Sequence, residues 1–459
     1  MSSIFFNPEL IRKYDKSGPR YTSYPTAVQF TESFSIDDYK TQIAKSNQTA
    51  SPLSLYFHIP FCDTVCFYCG CSKIATKNRN RAQPYLDHVY KEMAYQSELF
   101  DNTRKVEQLH WGGGTPTFIS HEQMKQLMER TRQYFNLLDD DSGEYSIEID
   151  PREANTETIT LLRSIGFNRI SLGVQDFNPE VQKAVNRIQS EAETREVIEA
   201  ARDTGFHSVS LDLIYGLPHQ SVQTFDETLD KILDLSPDRL SVFNYAHLPE
   251  MFKPQRRINV EDLPDPDEKL AILQHCIEKL TTAGYEYIGM DHFAKPDDEL
   301  AIAQKNKTLY RNFQGYSTHA DCDLAAFGIT SIGKVHDCYS QNLKTIDEYY
   351  QAIDEQKLPV YRGIVLSEDD KLRREVINQL ICHFELDKVQ INQSFNVNFD
   401  EYFAVEVSEL VEMDQDGLVE LQEGFIRVTA SGKLLIRNIC MVFDKYMRLQ
   451  KEARFSKVI

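Results

Sequence analysis

The sequence predicts an α/β protein: a partial or complete (β/α) barrel with an N-terminal arm before it and a small helix-rich domain after it. Three observations carry that expectation. Short β-rich runs alternate with amphipathic helical patterns, as in parallel sheets with helical crossovers. Six such units follow one another, which favours a barrel over a doubly wound sheet. From about residue 361 the pattern changes to mostly helix. The expected division is therefore 1–50 for the arm, 51–360 for the barrel and 361–459 for a helical domain with a β-hairpin.

Each element has its own justification. Residues 1–50 carry Pro8, Gly18, Pro19 and Pro25 with little periodicity outside 39–44, and read as an extended arm. Strands are expected at 53–59, 106–111, 145–149, 169–174, 208–214 and 240–245. Pro84 suits the first turn of one helix. Ser120 and Gln123 form the signature of a capping box, ahead of an apolar stripe of Met124, Leu127, Met128 and Tyr134. Leu270, Leu273, Cys276, Ile277 and Leu280 recur at helical spacing, and Gly284 stands where a helix would end. In the last hundred residues, helices are expected at 369–384 and 399–413, then a hairpin at 417–420 and 424–428.

Composition excludes several classes. Hydrophobic residues make up 41% of the 459 and charged ones 26%, ordinary for a folded chain. Fifty Lys and Arg against seventy Asp and Glu leave a net charge of −20, which argues against a nucleic-acid partner. No apolar run reaches the roughly eighteen residues that span a bilayer, and the N-terminus lacks a signal-peptide pattern. A cytoplasmic protein is expected.

The nine cysteines are unevenly spread. Cys276, Cys322, Cys338, Cys382 and Cys440 stand singly, as small packing residues do, whereas Cys62, Cys66, Cys69 and Cys71 fall within ten residues. The first three of that cluster form C-x3-C-x2-C. Three thiolates on one short loop can hold three irons of a [4Fe-4S] cube and leave the fourth iron open to a small chelating molecule. The spacing alone leaves two alternatives, a zinc site that adds Cys71 and a set of structural thiols. The loop follows the C-terminal end of the first expected strand, the reactive end of a barrel, and the run WGGGTP at 111–116 ends the second. His58, His110, His247 and His292 also lie near strand ends, where a catalytic and a hydrogen-bonded core histidine look alike.

The C-x3-C-x2-C loop followed by GGGTP resembles the radical S-adenosylmethionine (SAM) superfamily. Within it, the chain is similar to the oxygen-independent coproporphyrinogen III oxidases: RYTSYP at 20–25, GC at 70–71, GVQDF at 173–177, DLIYGLP at 212–218, NYAHL at 244–248, NFQGY at 312–316 and LIRNIC at 435–440. The resemblance implies a barrel of the radical SAM type. It also implies oxidative decarboxylation of two propionates of coproporphyrinogen III to vinyl groups, giving protoporphyrinogen IX on the anaerobic route of haem biosynthesis.

By the same resemblance, Cys62, Cys66 and Cys69 bind one [4Fe-4S] cluster. Tyr56, Gly113, Glu148 and Ile332 match positions around a first SAM, and Tyr68, Gly114, Thr115, Gln175, Arg187, Asp212 and Ala246 match positions around a second. Cys71, Phe313 and Gln314 match positions of uncertain role, catalytic or structural. A low-potential donor such as a flavodoxin or ferredoxin is implied, with neither membrane nor nucleic acid as partner and a monomer as the expected state. The substrate's four carboxylates call for a basic patch, for which Arg20, Lys253, Arg256 and Arg257 are candidates. Two rivals are weighed against this: a haem chaperone or haem-degrading relative in the same superfamily, and a zinc-stapled interaction protein without catalysis.

Overall fold

The computed structural model describes residues 4–449, which fall into two compact units. One comprises residues 30–269 and 321–365; the other comprises residues 4–29, 270–320 and 366–449.

The first unit is built on one twisted sheet. Six parallel strands, β1 (Leu53–Ile59), β2 (Lys105–Gly113), β3 (Glu144–Ile149), β4 (Arg169–Gln175), β5 (Ser208–Tyr215) and β6 (Arg239–Asn244), lie side by side in chain order. On the other side of β1 runs β7 (Asp323–Phe327), also parallel, followed by the antiparallel β8 (Ile332–Val335), β9 (Cys338–Asn342) and β10 (Val360–Val365). The strand order is open, so the barrel is partial.

Strand periodicity separates two chemistries. In β1, Leu53, Leu55, Phe57 and Ile59 are buried beneath the crossover helices, while Ser54, Tyr56 and His58 face the opposite way. The same alternation puts Ile147 and Ile149 of β3, Leu172 and Val174 of β4, and Leu211 and Leu213 of β5 on the apolar side. Glu148, Gln175 and Asp212 take the other side. Each fully buried aliphatic chain contributes about 1.5–3 kcal/mol, so register is tightly fixed, and a one-residue slip would exchange the two faces.

The helices behave as their sequences dictate. His121–Tyr134 is opened by the expected Ser120–Gln123 capping box and buries Met124, Leu127 and Met128. In Ala82–Ser97, Tyr85, Leu86, Val89 and Met93 line the sheet, together with a fully buried carboxylate, Glu92. Glu92 accepts from Gln96 (3.0 Å), the Gly328 amide (2.9 Å), Asn342 (2.8 Å) and Tyr349 (2.6 Å). Burial pushes its carboxyl up to about 7 against those four donors. Beside it, the Tyr85 hydroxyl donates to the His58 carbonyl (2.7 Å) and accepts from the Ile329 amide (3.1 Å), which ties the end of β1 to the chain leaving β7.

The arm is not wholly extended. Asn7 caps a helix at Pro8–Lys13, and a Ser35–Asp38 capping box opens another at Ile36–Asn47. Their caps are legible, but the first helix has a single buried residue, Ile11, too few for a periodic signal.

The second unit contains helices Glu368–His383, Lys388–Phe395, Ala404–Gln415 and Ile436–Val442 and a small antiparallel sheet. Its strands Val419–Leu421 and Phe425–Val428 form the expected hairpin, and Glu385–Asp387, too short to show alternation, adds a third strand. The single helix expected over 399–413 is broken at Phe403, which is buried against Phe399 and Phe443. In Pro266–Thr282, Ile272 rather than Leu273 takes the core position beside Cys276, Ile277 and Leu280. Gly284 follows with φ +95°, a conformation that favours glycine. All five isolated cysteines are buried.

Candidate active site

The cysteine loop leaves the C-terminal end of β1 and is pinned by backbone hydrogen bonds before any ligand is considered. Gly114 N donates to the Ile59 carbonyl (2.8 Å), Thr115 N to Phe61 (2.8 Å), Ile74 N to Pro60 (2.7 Å) and Thr76 N to Cys62 (2.9 Å). On the far side, Phe67 N reaches the Val185 carbonyl (2.9 Å) and the Asn186 amide reaches Val65 (2.9 Å). Gly114 makes this closeness possible, since a Cβ there would lie 2.7 Å from the Pro60 and Phe61 backbone. The GGGTP run is thus the clamp for the cysteine loop.

Each sulfur has a distinct environment. Thr115 donates to Cys62 Sγ at 3.5 Å, the guanidinium groups of Arg187 and Arg152 lie 3.6 and 3.8 Å from Cys66 Sγ, and the Cys71 amide lies 3.4 Å from Cys69 Sγ. Burial pushes the Cys62 thiol up to about 11. The hydrogen bond from the Cys71 thiol, with help from Lys73, draws Cys69 down to about 5 and leaves the proton on Cys71. Three thiolates on one clamped loop, with the Cys71 amide beside Cys69, are a donor set that suits three corners of a cube.

The polar side of the strands carries the rest. Tyr56 stacks on His110 (5.9 Å between ring centroids) and its hydroxyl meets His58 Nδ1 at 3.1 Å. His110 Nε2 lies 3.4 Å from Glu148 Oε1, and the Gly113 amide donates to Glu148 Oε2 at 3.1 Å. Half of the Glu148 side-chain surface is open, but desolvation by the surrounding chain still works to raise its carboxyl; His110 and the Gly113 amide outweigh that and hold the group below its ordinary range. Asp212, paired in register with Gly173, goes the other way: burial and the neighbouring Glu148 push it up to about 7. Two carboxyl groups on one face thus differ in proton affinity, one anionic and one poised near neutrality. His58 is buried, held by the Ser72 carbonyl (3.0 Å), and its imidazole is kept neutral by burial. Gly113 has φ +116°, and a Cβ there would strike the His58 ring at 2.7 Å.

Further along, Gln175 ends β4 at φ +68° with its Oε1 buried and unpartnered. Arg187 is buried, donates to the Gly173 carbonyl and to Asp150 (3.0 Å), and has an unpartnered Nε. Tyr68 and Phe67 pack on a cluster of Val181, Val185, Leu217, Tyr245 and Ile258. Gln255 Nε2 bridges the carbonyls of Tyr68 (3.0 Å) and Ala246 (3.2 Å). The turn Lys253–Arg257 therefore sits against the cysteine loop: Phe252 abuts Gly70, and Arg257 stacks on Phe67 at 5.2 Å.

Within this unit the structure brings Tyr56, Cys62, Cys66, Tyr68, Cys69, Cys71, Gly113, Gly114, Thr115 and Glu148 to one end of the sheet with Gln175, Arg187, Asp212 and Ala246, and Ile332 opens β8. Arg256 is exposed and donates to the Pro249 carbonyl (3.0 Å), while Lys253 is exposed. Phe313 and Gln314 belong to the other unit, at the tip of a hairpin between Tyr310–Asn312 and Gly315–Ser317, as does Arg20, which pairs with Asp291 at 2.6 Å. Sequence reasoning missed Asp150, Arg152 and Gln255. The first two follow β3 at the strand end that also carries Gly113 and Gln175, but nothing in their spacing sets them apart.

Comparison with known proteins follows the geometry. The model of the Radical SAM superfamily matches residues 56–232, and that of the HemN C-terminal domain matches residues 366–435. An oxygen-independent coproporphyrinogen III oxidase of Pseudomonas aeruginosa is 53% identical over 459 residues, covering 100% of both chains. One from Escherichia coli is 50% identical, again over 100% of both. The solved structure of coproporphyrinogen III oxidase (HemN) from Escherichia coli, described as a radical SAM enzyme, superposes with a TM-score of 0.93 at 49% identity, covering 97% of this chain and 100% of that one.

Proposed function

The chain belongs to the oxygen-independent coproporphyrinogen III oxidase family of radical SAM enzymes, and we propose that it converts two propionate side chains of coproporphyrinogen III into vinyl groups, yielding protoporphyrinogen IX in anaerobic haem biosynthesis. The observation that carries this reading is the loop of Cys62, Cys66 and Cys69 clamped by Gly114 at the same strand end as Glu148 and Asp212.

Cys62, Cys66 and Cys69 hold one [4Fe-4S] cluster. When bound, cluster and SAM supply a one-electron cleavage of the sulfonium and removal of a hydrogen from the propionate, after which loss of an electron and CO2 leaves the vinyl group. Around the first SAM stand Tyr56, Gly113, Glu148 and Ile332: an aromatic face, an unobstructed backbone and a carboxylate that pairs with a cation or accepts from ribose hydroxyls. Around a second SAM stand Tyr68, Gly114, Thr115, Gln175, Arg187, Asp212 and Ala246. The buried, unpartnered Gln175 Oε1 and Arg187 Nε support this, because an acceptor and a donor without partners are satisfied by a ligand offering both. The carboxyl of Asp212, near 7, is able to donate or accept at a hydroxyl.

Lys253, Arg256 and Arg257 present a basic turn beside the cysteine loop for the substrate's carboxylates. Cys71 lies beside Cys69 without joining the three cluster ligands. Phe313 and Gln314 match family positions whose role, catalytic or structural, the resemblance leaves open. A low-potential donor such as a flavodoxin or ferredoxin supplies electrons to a monomer in the cytoplasm. No helix among the described residues is long and apolar enough to cross a membrane.

The test is anaerobic incubation of the reconstituted protein with coproporphyrinogen III, SAM and a reductant. Protoporphyrinogen IX and methionine should accumulate together. A protein with about four irons that yields no divinyl product would overturn the reading.

A further inference from the structure

The three cysteines are treated unequally by the charges around them. Cys62 Sγ receives a neutral hydroxyl, and Cys69 Sγ receives the Cys71 amide with one cation, Lys73, near it. Cys66 Sγ alone is approached by two cations, Arg187 Nη1 at 3.6 Å and Arg152 Nη2 at 3.8 Å. One carboxylate organises both: Asp150 Oδ2 accepts from Arg152 Nη2 (2.6 Å) and Arg187 Nη1 (3.0 Å), and its Oδ1 accepts from Arg152 Nε (2.9 Å) and the Arg152 amide (3.1 Å). Side-chain exposures of 10%, 17% and 7% for Asp150, Arg152 and Arg187 place the whole arrangement out of bulk water. The local sum is therefore one net positive charge, delivered to one thiolate, in a chain whose total is −20.

We infer that Asp150 and Arg152 are positioning residues that set the reduction potential of the cluster through Cys66. This rests on the proposed cluster site and adds to it two residues that bind neither iron nor substrate. The physical basis is general. Adding one electron to an iron-sulfur centre adds one negative charge, and hydrogen bonds to the ligand sulfurs and nearby positive charge stabilise the reduced form. In a site shielded from water the effect is larger than at a surface. Arg152 raises the potential by donating to Cys66 and by its charge. Asp150 does two opposing things: it aims both guanidinium groups, and it offsets one of their charges.

That opposition provides a test with a sign. Redox titration of the anaerobically reconstituted holoenzyme, followed by the EPR signal of the reduced cluster, gives the midpoint. Arg152→Met should lower the reduced-to-oxidised ratio at a fixed potential about tenfold, which is about 59 mV for a one-electron couple. Asp150→Asn, isosteric and still able to accept from Arg152, should move the ratio the other way. Arg152→Lys, which keeps the charge but loses the fork, should fall between Arg152→Met and wild type, and gives the answer by itself if another variant fails to retain iron. Midpoints unchanged in Arg152→Met and Arg152→Lys at full iron and sulfide content would overturn the inference, as would shifts of the same sign in Arg152→Met and Asp150→Asn. Wild-type protein that takes up no cluster would instead sink the site assignment on which this rests.

Discussion

The two ends of the parallel sheet share strands and side-chain face yet manage their polar groups in opposite ways. At the N-terminal end, Ser54 donates to Gln108 (2.9 Å), Gln108 donates to Glu144 (2.9 Å), and Arg104 pairs with Asp323 at 2.6 Å while also holding the Ser51 carbonyl (2.6 Å) and Ser46 (3.0 Å). The donors named there all meet acceptors within the protein. At the C-terminal end, Gln175 and Arg187 carry buried atoms with no partner, and a carboxyl is pushed towards neutrality. Buried polar atoms cost free energy when unpaired, so the first end stabilises the fold and the second gives up stability to leave positions for a ligand.

The sharpest way to break this contrast is to strike each end and ask whether stability and activity separate. Cys66→Ala should abolish cluster retention and reduce product formation to background while shifting the melting temperature of the iron-free protein little, as measured by iron analysis, product assay and thermal melting. At the other end, Arg104→Met leaves Asp323 buried without its cation and should cost about 3–5 kcal/mol of stability, seen in denaturant unfolding, with KM for SAM unchanged. Loss of activity without loss of stability in that variant would erase the distinction.

A subtler probe uses pH. The folded-state carboxyl of Asp212 sits near 7, above its ordinary 3.8, so the native protein binds that proton more tightly than the unfolded chain does. Its contribution to stability is therefore fully present below about pH 4 and falls away as pH rises through about 7. Asp212→Asn should melt higher than wild type at pH 8 in the absence of ligand, by roughly 1–2 kcal/mol or a few degrees, and the advantage should vanish near pH 4. A pH-independent difference would mean that the carboxyl is not strained. The smallest effect is expected at the rim: Arg256→Ala with Arg257→Ala should raise KM for coproporphyrinogen about 3–10-fold, read from initial rates, because exposed cations contribute about 0.2–1 kcal/mol each.

The six parallel strands and the His121–Tyr134 helix could be read from the sequence because their signals are local: period-two burial, a capping box and glycine punctuation. The helix at Pro8–Lys13 and the strand at Glu385–Asp387 escaped because so few residues give no period, and the break at Phe403 escaped because packing against Phe399 and Phe443 caused it. For the candidate site, the cysteines and glycines announced themselves by spacing. Asp150 and Arg152 did not, since what distinguishes them is proximity to a sulfur 86 positions away in the case of Arg152.

The chain by itself determined the alternation of strand and helix, the three-thiolate loop and the glycine run that follows the next strand, because residue type and short-range spacing encode backbone preference and donor chemistry. Only the tertiary structure decided that the sheet stays open, that Gly114 clamps the loop, that Glu148 and Asp212 differ in proton affinity, and that two guanidinium groups converge on Cys66. Those are properties of distance and dielectric between groups far apart in sequence, and they exist only once the strands are laid side by side.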